Sequence, residues 1–440
     1  MKFDQKVIDK VIGILKEEVV PAEGCTEPIA IAYVAAKARQ VLGKIPDRIE
    51  VFVSGNMIKN VKSVVVPNSG GLVGIEVSAA MGALAGDPDK ELLVISSVTP
   101  KAMEGVKEFL KKDLVDVVHE KTDIKLYAKI LVFSGEESAG VEVKYTHTNI
   151  TTVEKNGKMI LDRACKDTIF SSPLRDREIL SIEFIYELAG QIDLDLIRPM
   201  FQQVVDMNTR IAKEGLEGNY GVNLGKCIKD NIISGVYGDD QRNRCALLAA
   251  AGSDARMSGC PLPVMTTSGS GNQGMAASLP IIAFCRDRDL GEDELIRGLF
   301  ISHLSTIHIK TKIGRLSAFC GVVCASAAVS GALAFLMGGD YKVIGSSITN
   351  TLGNIAGVIC DGAKASCSMK TATGIYSAFD AMALSFTSKS LDSGDGIVGE
   401  DVEATIRNIG ELAQSGMQQT DDVILKIMTQ KRVIKTDKNQ

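Results

Sequence analysis

The sequence predicts an α+β protein. An N-terminal α/β domain over 1–175, built on a mixed or antiparallel sheet, precedes a larger, nearly all-α domain over 176–440. Three observations carry this reading. Short runs before Arg175 alternate apolar with polar residues, and after it the alternation stops. Asn156-Gly157 follows such a run, and both positions of a tight hairpin turn need positive φ. Beyond Arg175, apolar residues recur at helical spacing through one segment after another.

Taken in order, Phe3–Val20 sets Val7, Ile8, Val11, Ile12, Leu15 and Val19 on one helical face. Thr26 can cap a second helix through Ile31–Val41, with Pro28 in the first turn, where its missing N–H leaves no bond unmade. Arg48–Ser54 alternates Ile49, Val51 and Val53 as a half-buried strand, and Val61–Val66 and Leu92–Val98 also read as strands. Leu126–Phe133 and Val141–Val153 have the pattern of an antiparallel pair. In the second domain Glu178–Leu188, Leu194–Lys213, Gly225–Val236, Arg244–Ala251, Met275–Phe284, Glu292–Ile307, Ser317–Met337, Ser366–Leu384, Val402–Ala413 and Asp421–Thr429 suit helices. Leu391–Gly399 reads as a surface loop.

Phe319–Gly339 and Val343–Cys360 carry no charge, and their length alone would permit a membrane span. Their content argues otherwise. The first is mostly Ala, Gly, Ser and Cys, and the second holds Ser346, Ser347, Thr349, Asn350, Thr351 and Asn354, which fits helices buried in protein. A net charge of −5, no Trp and no basic stripe interleaved with aromatics exclude nucleic acid as the main partner. Ten cysteines in 440 residues, Cys165 among them, are too sparse for a disulfide scaffold. Met1–Lys10 is charged and lacks the apolar core of a signal peptide. The expected compartment is therefore the reducing cytoplasm, where cysteines fill cores, bind metals or react.

Cys320 and Cys324 are followed by Cys360-Asp-Gly-Ala-Lys-Ala-Ser-Cys367. Thiolates are soft ligands for zinc, copper(I) and iron–sulfur clusters, but this spacing is neither a zinc ribbon nor a ferredoxin run. On spacing alone, simple core packing is preferred to metal ligation. Cys25 lies just before a helix start, where orphan N–H groups and the macrodipole favour a thiolate. It reads as a catalytic base or nucleophile, or as a buried cysteine in a tight turn. Gly269, Gly271 and Gly274 spell G-x-G-x-x-G without the βαβ surroundings of a dinucleotide site. Backbone N–H groups ahead of a helix still make an anion pocket suited to a carboxylate. Ser268, Gly271, Asn272 and Gln273 are its candidate contacts, and Asn68 in the polar turn Val66–Gly71 is another. His303 and His308, five apart, fall on different helix faces and share no metal.

Across nearly the whole chain, Glu23-Gly-Cys25-Thr-Glu-Pro28, Pro67-Asn-Ser-Gly-Gly71, Ser268-Gly-Ser-Gly-Asn-Gln-Gly274, Gly314-Arg-Leu-Ser-Ala-Phe-Cys320-Gly321 and the Cys360–Cys367 segment together resemble the L-cysteine desulfidase family. That family is related to the alpha part of bacterial iron–sulfur L-serine dehydratases. The resemblance implies an oxygen-sensitive [4Fe–4S] cluster with three protein ligands and one open iron. It implies β-elimination of sulfide from L-cysteine, giving pyruvate, ammonia and hydrogen sulfide without pyridoxal phosphate. Carried over, Cys320 and Cys360 are ligands, and Cys367 or Cys25 supplies the third. Cys367 is preferred because it shares a short loop with Cys360. Cys324 is then core and Cys25 the base. The implied partner is a small-molecule amino acid, with no nucleic acid and no membrane; a homo-oligomer is left open. The rival readings are an L-serine dehydratase with the same cluster and a non-catalytic iron–sulfur redox or sensing protein.

Overall fold

A computed structural model describes residues 3–163 and 177–430, so Cys165 and the expected 175/176 boundary lie outside the described residues. The first part runs α1 (Gln5–Glu18), β1 (Pro21–Glu23), α2 (Thr26–Leu42), β2 (Arg48–Val53), α3 (Gly55–Val61), α4 (Ile75–Ala85), α5 (Pro100–Lys111), β3 (Val115–His119), β4 (Tyr127–Ser134), β5 (Glu137–Lys144), β6 (Ile150–Lys155) and β7 (Lys158–Asp162). Strands β2 to β7 form a mixed sheet in the order β3-β2-β4-β5-β6-β7, in which only the β2–β3 pairing is parallel. Alternation does what the sequence promised. Ile49, Val51, Val53, Ala128, Ile130, Val132, Val141 and Val143 turn inward and pack in one core with α2 and α4. Gly82 of α4 permits that packing, since a Cβ there would lie 2.0 Å from the Ala32 carbonyl oxygen. Asn156 and Gly157 take φ of 50° and 73° between β6 and β7, the hairpin turn expected of them.

Two expected strands are absent. Val61 closes α3 and residues 62–66 turn away from it, while 92–98 passes through a short 3-10 helix (Pro88–Leu93) and turns. Val64, Val66, Val94 and Ile95 are nonetheless fully buried, which is why these runs looked like strands. A short apolar run signals burial and leaves the backbone open.

The remainder is helical: α6 (Ile182–Gln191), α7 (Arg198–Glu217), α8 (Leu224–Ile233), α9 (Gln241–Met257), then β8 (Pro263–Met265), α10 (Gly271–Asp287), α11 (Glu292–Ile313), α12 (Gly321–Leu336), α13 (Tyr341–Ile355), α14 (Cys367–Phe386), α15 (Val402–Glu411) and α16 (Gln418–Gln430). The charge-free stretches are α12 and α13, packed on each other and on α14 inside this core. Among the described residues no helix is long and apolar enough to cross a membrane. Val11, Ile14 and Leu15 of α1 and Val19 just after it pack in the helical core, and β1 pairs antiparallel with β8, Ala22 opposite Val264. That pairing brings Glu23-Gly-Cys25 beside the glycine-rich loop ahead of α10.

Candidate active site

Four helices start at one place. Cys25, at φ −76° and ψ 132°, is the N-cap of α2; Thr26, expected to cap it, is its first residue. The Thr26 hydroxyl instead donates to the Gly269 carbonyl at 2.6 Å, fastening α2 to the loop before α10. Ser270 caps α10 by accepting from Gln273 N. A Cβ on Gly321, the first residue of α12, would sit 2.3 Å from Gln273 Oε1, so those two first turns touch. Cys367 opens α14 and packs with Cys25, Val64 and Met257.

The cysteine-bearing segments are held by backbone. Phe319 and Ile359 form an antiparallel bridge, with Cys320 N donating to Val358 O at 3.1 Å and Cys360 N to Ala318 O at 2.6 Å. The loop from Cys360 then folds back through Gly362, at φ 94°, where a Cβ would meet the Lys59 carbonyl oxygen at 2.3 Å. Lys59 Nζ donates to Cys360 O at 3.1 Å and pairs with Asp421 of α16 at 2.5 Å. Burial pushes the Cys320 thiol up to about 12, reinforced by charge on Cys360 and on Cys367. Cys324, one turn along α12, is fully buried and held up at about 11 by burial, against the opposing charge of Lys310.

Among the described residues no three His, Cys, Asp or Glu side chains close around a single metal ion. An iron–sulfur cube takes one thiolate at each of several corners, so its ligands stand farther apart than those of one ion. The donor set fits such a group. Burial raises the Cys320 and Cys367 thiols and charge on Cys360 adds to both, so a cationic centre among them would be compensating, and the N-termini of α12 and α14 favour a net anionic cluster.

Around Cys25 the electrostatics depart from expectation. Its Sγ donates to Glu27 Oε2 at 3.1 Å, and burial, then the Glu27 charge, raise the thiol well above its ordinary value. The helix N-terminus does not win, because burial disfavours the thiolate and the Glu27 carboxylate occupies the same first turn. Burial pushes the Glu27 carboxyl up too, but His147 and the Cys25 thiol outweigh it and hold it at about 2. His147 Nε2 lies 4.0 Å from Glu27 Oε1, and Asn60 Nδ2 donates to that oxygen at 3.1 Å. Arg256, 2% exposed near the end of α9, donates from Nη1 to Asn272 Oδ1 at 3.2 Å.

The glycines of the loop do something other than bare the backbone. A Cβ on Gly269 would meet Arg315 Nη1 at 2.7 Å and the His147 ring, and one on Gly271 would meet Arg256 Nε at 2.3 Å. Gly274 lets α10 lie against the Met265 carbonyl of β8. Ser268, at φ 50°, bonds its N–H to Glu18 O, and Gln273 Nε2 donates to Thr267 O while its Oε1 finds no partner. Asn68 uses its Nδ2 on Glu23 Oε1 at 2.6 Å and Ile95 O at 3.1 Å, which ties its turn to β1. His303 bonds Thr267 and His308 bonds Glu403, separately, as their spacing implied. Sequence reasoning missed Arg256, His147, Asn60 and the role of Glu27. A lone cation in the small-residue run from Ala249 to Gly259 was the available signal for Arg256, but that helix was expected to end at Ala251.

The family model of the serine dehydratase alpha chain matches residues 89–426. A UPF0597 protein of Fusobacterium nucleatum is 59% identical over 422 residues, covering 96% of this chain and 99% of that protein. A UPF0597 protein of Lachnoclostridium phytofermentans is 45% identical over 419 residues, covering 95% and 99%. One of Porphyromonas gingivalis is 37% identical over 435 residues, covering 98% and 100%. The chain belongs to the serine dehydratase alpha-chain family.

Proposed function

We propose that this protein is an iron–sulfur-dependent carbon–sulfur lyase, an L-cysteine desulfidase working in the reducing cytoplasm. The observation that carries the reading is the grouping of Cys320, Cys360 and Cys367 at the starts of α12 and α14, against Cys25 at the start of α2. Those three cysteines would hold a [4Fe–4S] cluster, which when bound supplies a Lewis-acidic iron for the leaving sulfur. Cys367 is the better third ligand because Cys320 senses Cys360 and Cys367, while Cys25 is engaged with Glu27.

The chain's own residues bind and move protons. The loop 268–273 and the first turn of α10 receive the substrate carboxylate. Cys25 and Glu27 form one base unit that holds a single proton on a 3.1 Å hydrogen bond. Catalysis requires that proton to move from Cys25 Sγ to Glu27 Oε2, against the preference of the empty site, so that the thiolate then takes the α-proton. Both members of the pair then carry a proton, sulfide departs, and the aminoacrylate left behind tautomerises and hydrolyses to pyruvate and ammonia. The nearly complete burial of Cys25, Glu27 and Arg256 excludes bulk water while this happens.

The test is anaerobic reconstitution followed by parallel assays on L-cysteine and L-serine. Sulfide and pyruvate released in equal amounts from L-cysteine, faster than pyruvate from L-serine, is the expected result. A faster reaction with L-serine establishes the second reading, which the serine dehydratase match favours. Turnover of neither by fully loaded protein overturns both.

A further inference from the structure

Arg256 is a cation the fold buries without an anion. Among the described residues no Asp or Glu lies within salt-bridge distance of it, and its Nε and Nη2 have no hydrogen-bond partner. Uncompensated burial of a guanidinium is strongly unfavourable, and an arginine cannot escape by losing its proton. The partnerless pair is chemically particular. Nε and Nη2 form one edge of the guanidinium, whose two roughly parallel N–H bonds match the two oxygens of a carboxylate. Nη1, off that edge, is the nitrogen held by Asn272, so the side chain is oriented with its fork unspent.

The surroundings point the same way. Gly271 N and Asn272 N, in the first turn of α10, have no acceptor among the described residues, and Gly271 leaves the space in which the guanidinium lies. Met257, the next residue along, packs on Cys25 beside Cys367. A merely structural arginine in the last turn of α9 would bond that helix's terminal carbonyls, and Arg256 bonds none. The unpartnered Nε and Nη2 thus belong to a guanidinium that lies against the first turn of α10, where Gly271 N and Asn272 N are unbonded, and close enough to Cys25 for its charge to act on that thiol.

We propose that Arg256 is the receptor for the substrate's α-carboxylate, with Gly271 N and Asn272 N, and that it restricts the site to free α-amino acids. This rests on the lyase reading above for the identity of the site. It adds the residue that selects the substrate class. Amides and esters of the same amino acids present no anion to the fork and are excluded.

One arm of the test needs no turnover. Binding of L-alanine, which has no β-leaving group, and of L-alaninamide to the wild-type protein is followed by calorimetry. L-Alanine should bind at least about tenfold tighter, the lower end of what charge-assisted hydrogen bonds give. Equal binding overturns the proposal whatever the variants do. In the other arm, reconstituted Arg256→Gln should keep its iron content and lose L-alanine binding. Its KM for L-cysteine should rise about 10- to 100-fold, and Arg256→Lys should restore part of the loss. An unchanged KM in iron-replete Arg256→Gln also overturns the proposal, while leaving the lyase reading intact. Inactive wild-type protein sinks the lyase reading instead, and the L-alanine arm still decides the role of Arg256.

Discussion

Glu23 sets a pH dependence of stability that one substitution should erase. The side chain is 1% exposed; its Oε1 accepts from Asn68 and its Oε2 has no partner. Burial raises its pKa to about 7, against the opposing hydrogen bond from Asn68, from the usual 4.5. The folded state thus holds a proton that the unfolded chain has already released. Below pH 4.5 both states are protonated and Glu23 contributes no pH dependence; between 4.5 and 7 stability falls as pH rises; above 7 the loss is complete. A raised pKa of this size corresponds to about 3 kcal/mol at roughly 1.4 kcal/mol per unit. Glu23→Gln keeps the acceptor for Asn68 and removes the charge. Denaturant unfolding of both proteins at pH 4.5 and pH 8 should give a difference between them that grows by about 3 kcal/mol in favour of the Gln variant. A difference that is the same at both pH values refutes the reasoning, because it would mean that Glu23 ionises as freely in the fold as outside it.

Other expectations follow from the same geometry. Cys320→Ala, Cys360→Ala and Cys367→Ala should each abolish iron incorporation on anaerobic reconstitution, whereas Cys324→Ala should retain it. Cys25→Ser should keep full iron and lower kcat by about two to four orders of magnitude, the range for losing a general base. The Lys59–Asp421 pair, with Lys59 1% exposed, links α16 to the Cys360 carbonyl; Asp421→Ala should destabilise by about 3–5 kcal/mol by denaturant unfolding, and the Lys59→Met/Asp421→Leu double variant by much less. Gly82→Ala should destabilise by about 1–3 kcal/mol or more, since its Cβ would drive into the Ala32 backbone.

The class of the fold and its main elements were legible because periodicity is local. Strands β2 and β4, the Asn156-Gly157 turn and the buried identity of α12 and α13 all follow from short windows of sequence, whereas the expected strand Val141–Val153 is split between β5 and β6. What failed also has a local cause. Gly252, Ser253 and Asp254 look like breakers, yet all three are fully buried within α9, where Asp254 Oδ2 accepts the Gly225 N–H near the start of α8. Tertiary contact overrode propensity there, and the reading that stopped at Ala251 lost Arg256 with it. At the site, the cysteines and the glycine-rich loop announced themselves, whereas His147, Asn60 and Arg256 reach it only through packing between distant segments such as β1 and β8. The macrodipole alone predicts a Cys25 thiolate because it leaves out the burial of the thiol and Glu27, two residues on and hydrogen-bonded to it.

Three of the four helices that begin at the site lack a side-chain cap, as do α4, α7, α8 and α11 elsewhere; what sets the site apart is that these uncapped starts lie together, beside α10, which Ser270 caps. Elsewhere Asp4, Ser54, Thr99, Ser181, Asp240, Asp340 and Asp401 cap their helices through side-chain hydrogen bonds. At the site, Cys25, Cys320 and Ser366 occupy the cap positions of α2, α12 and α14 and make no such bond. A missing cap forgoes about 1 kcal/mol and leaves N–H groups without acceptors, each helix start carrying roughly half a positive charge. Placed together with Arg256, these ends repel one another, an arrangement that a fold selected for stability alone has no reason to keep. Anions brought into the gap remove the repulsion and fill the orphan donors. A carboxylate and a net-negative iron–sulfur cluster are anions of that kind. On the proposed function, the stability forgone in the empty fold would become the binding energy of the loaded one.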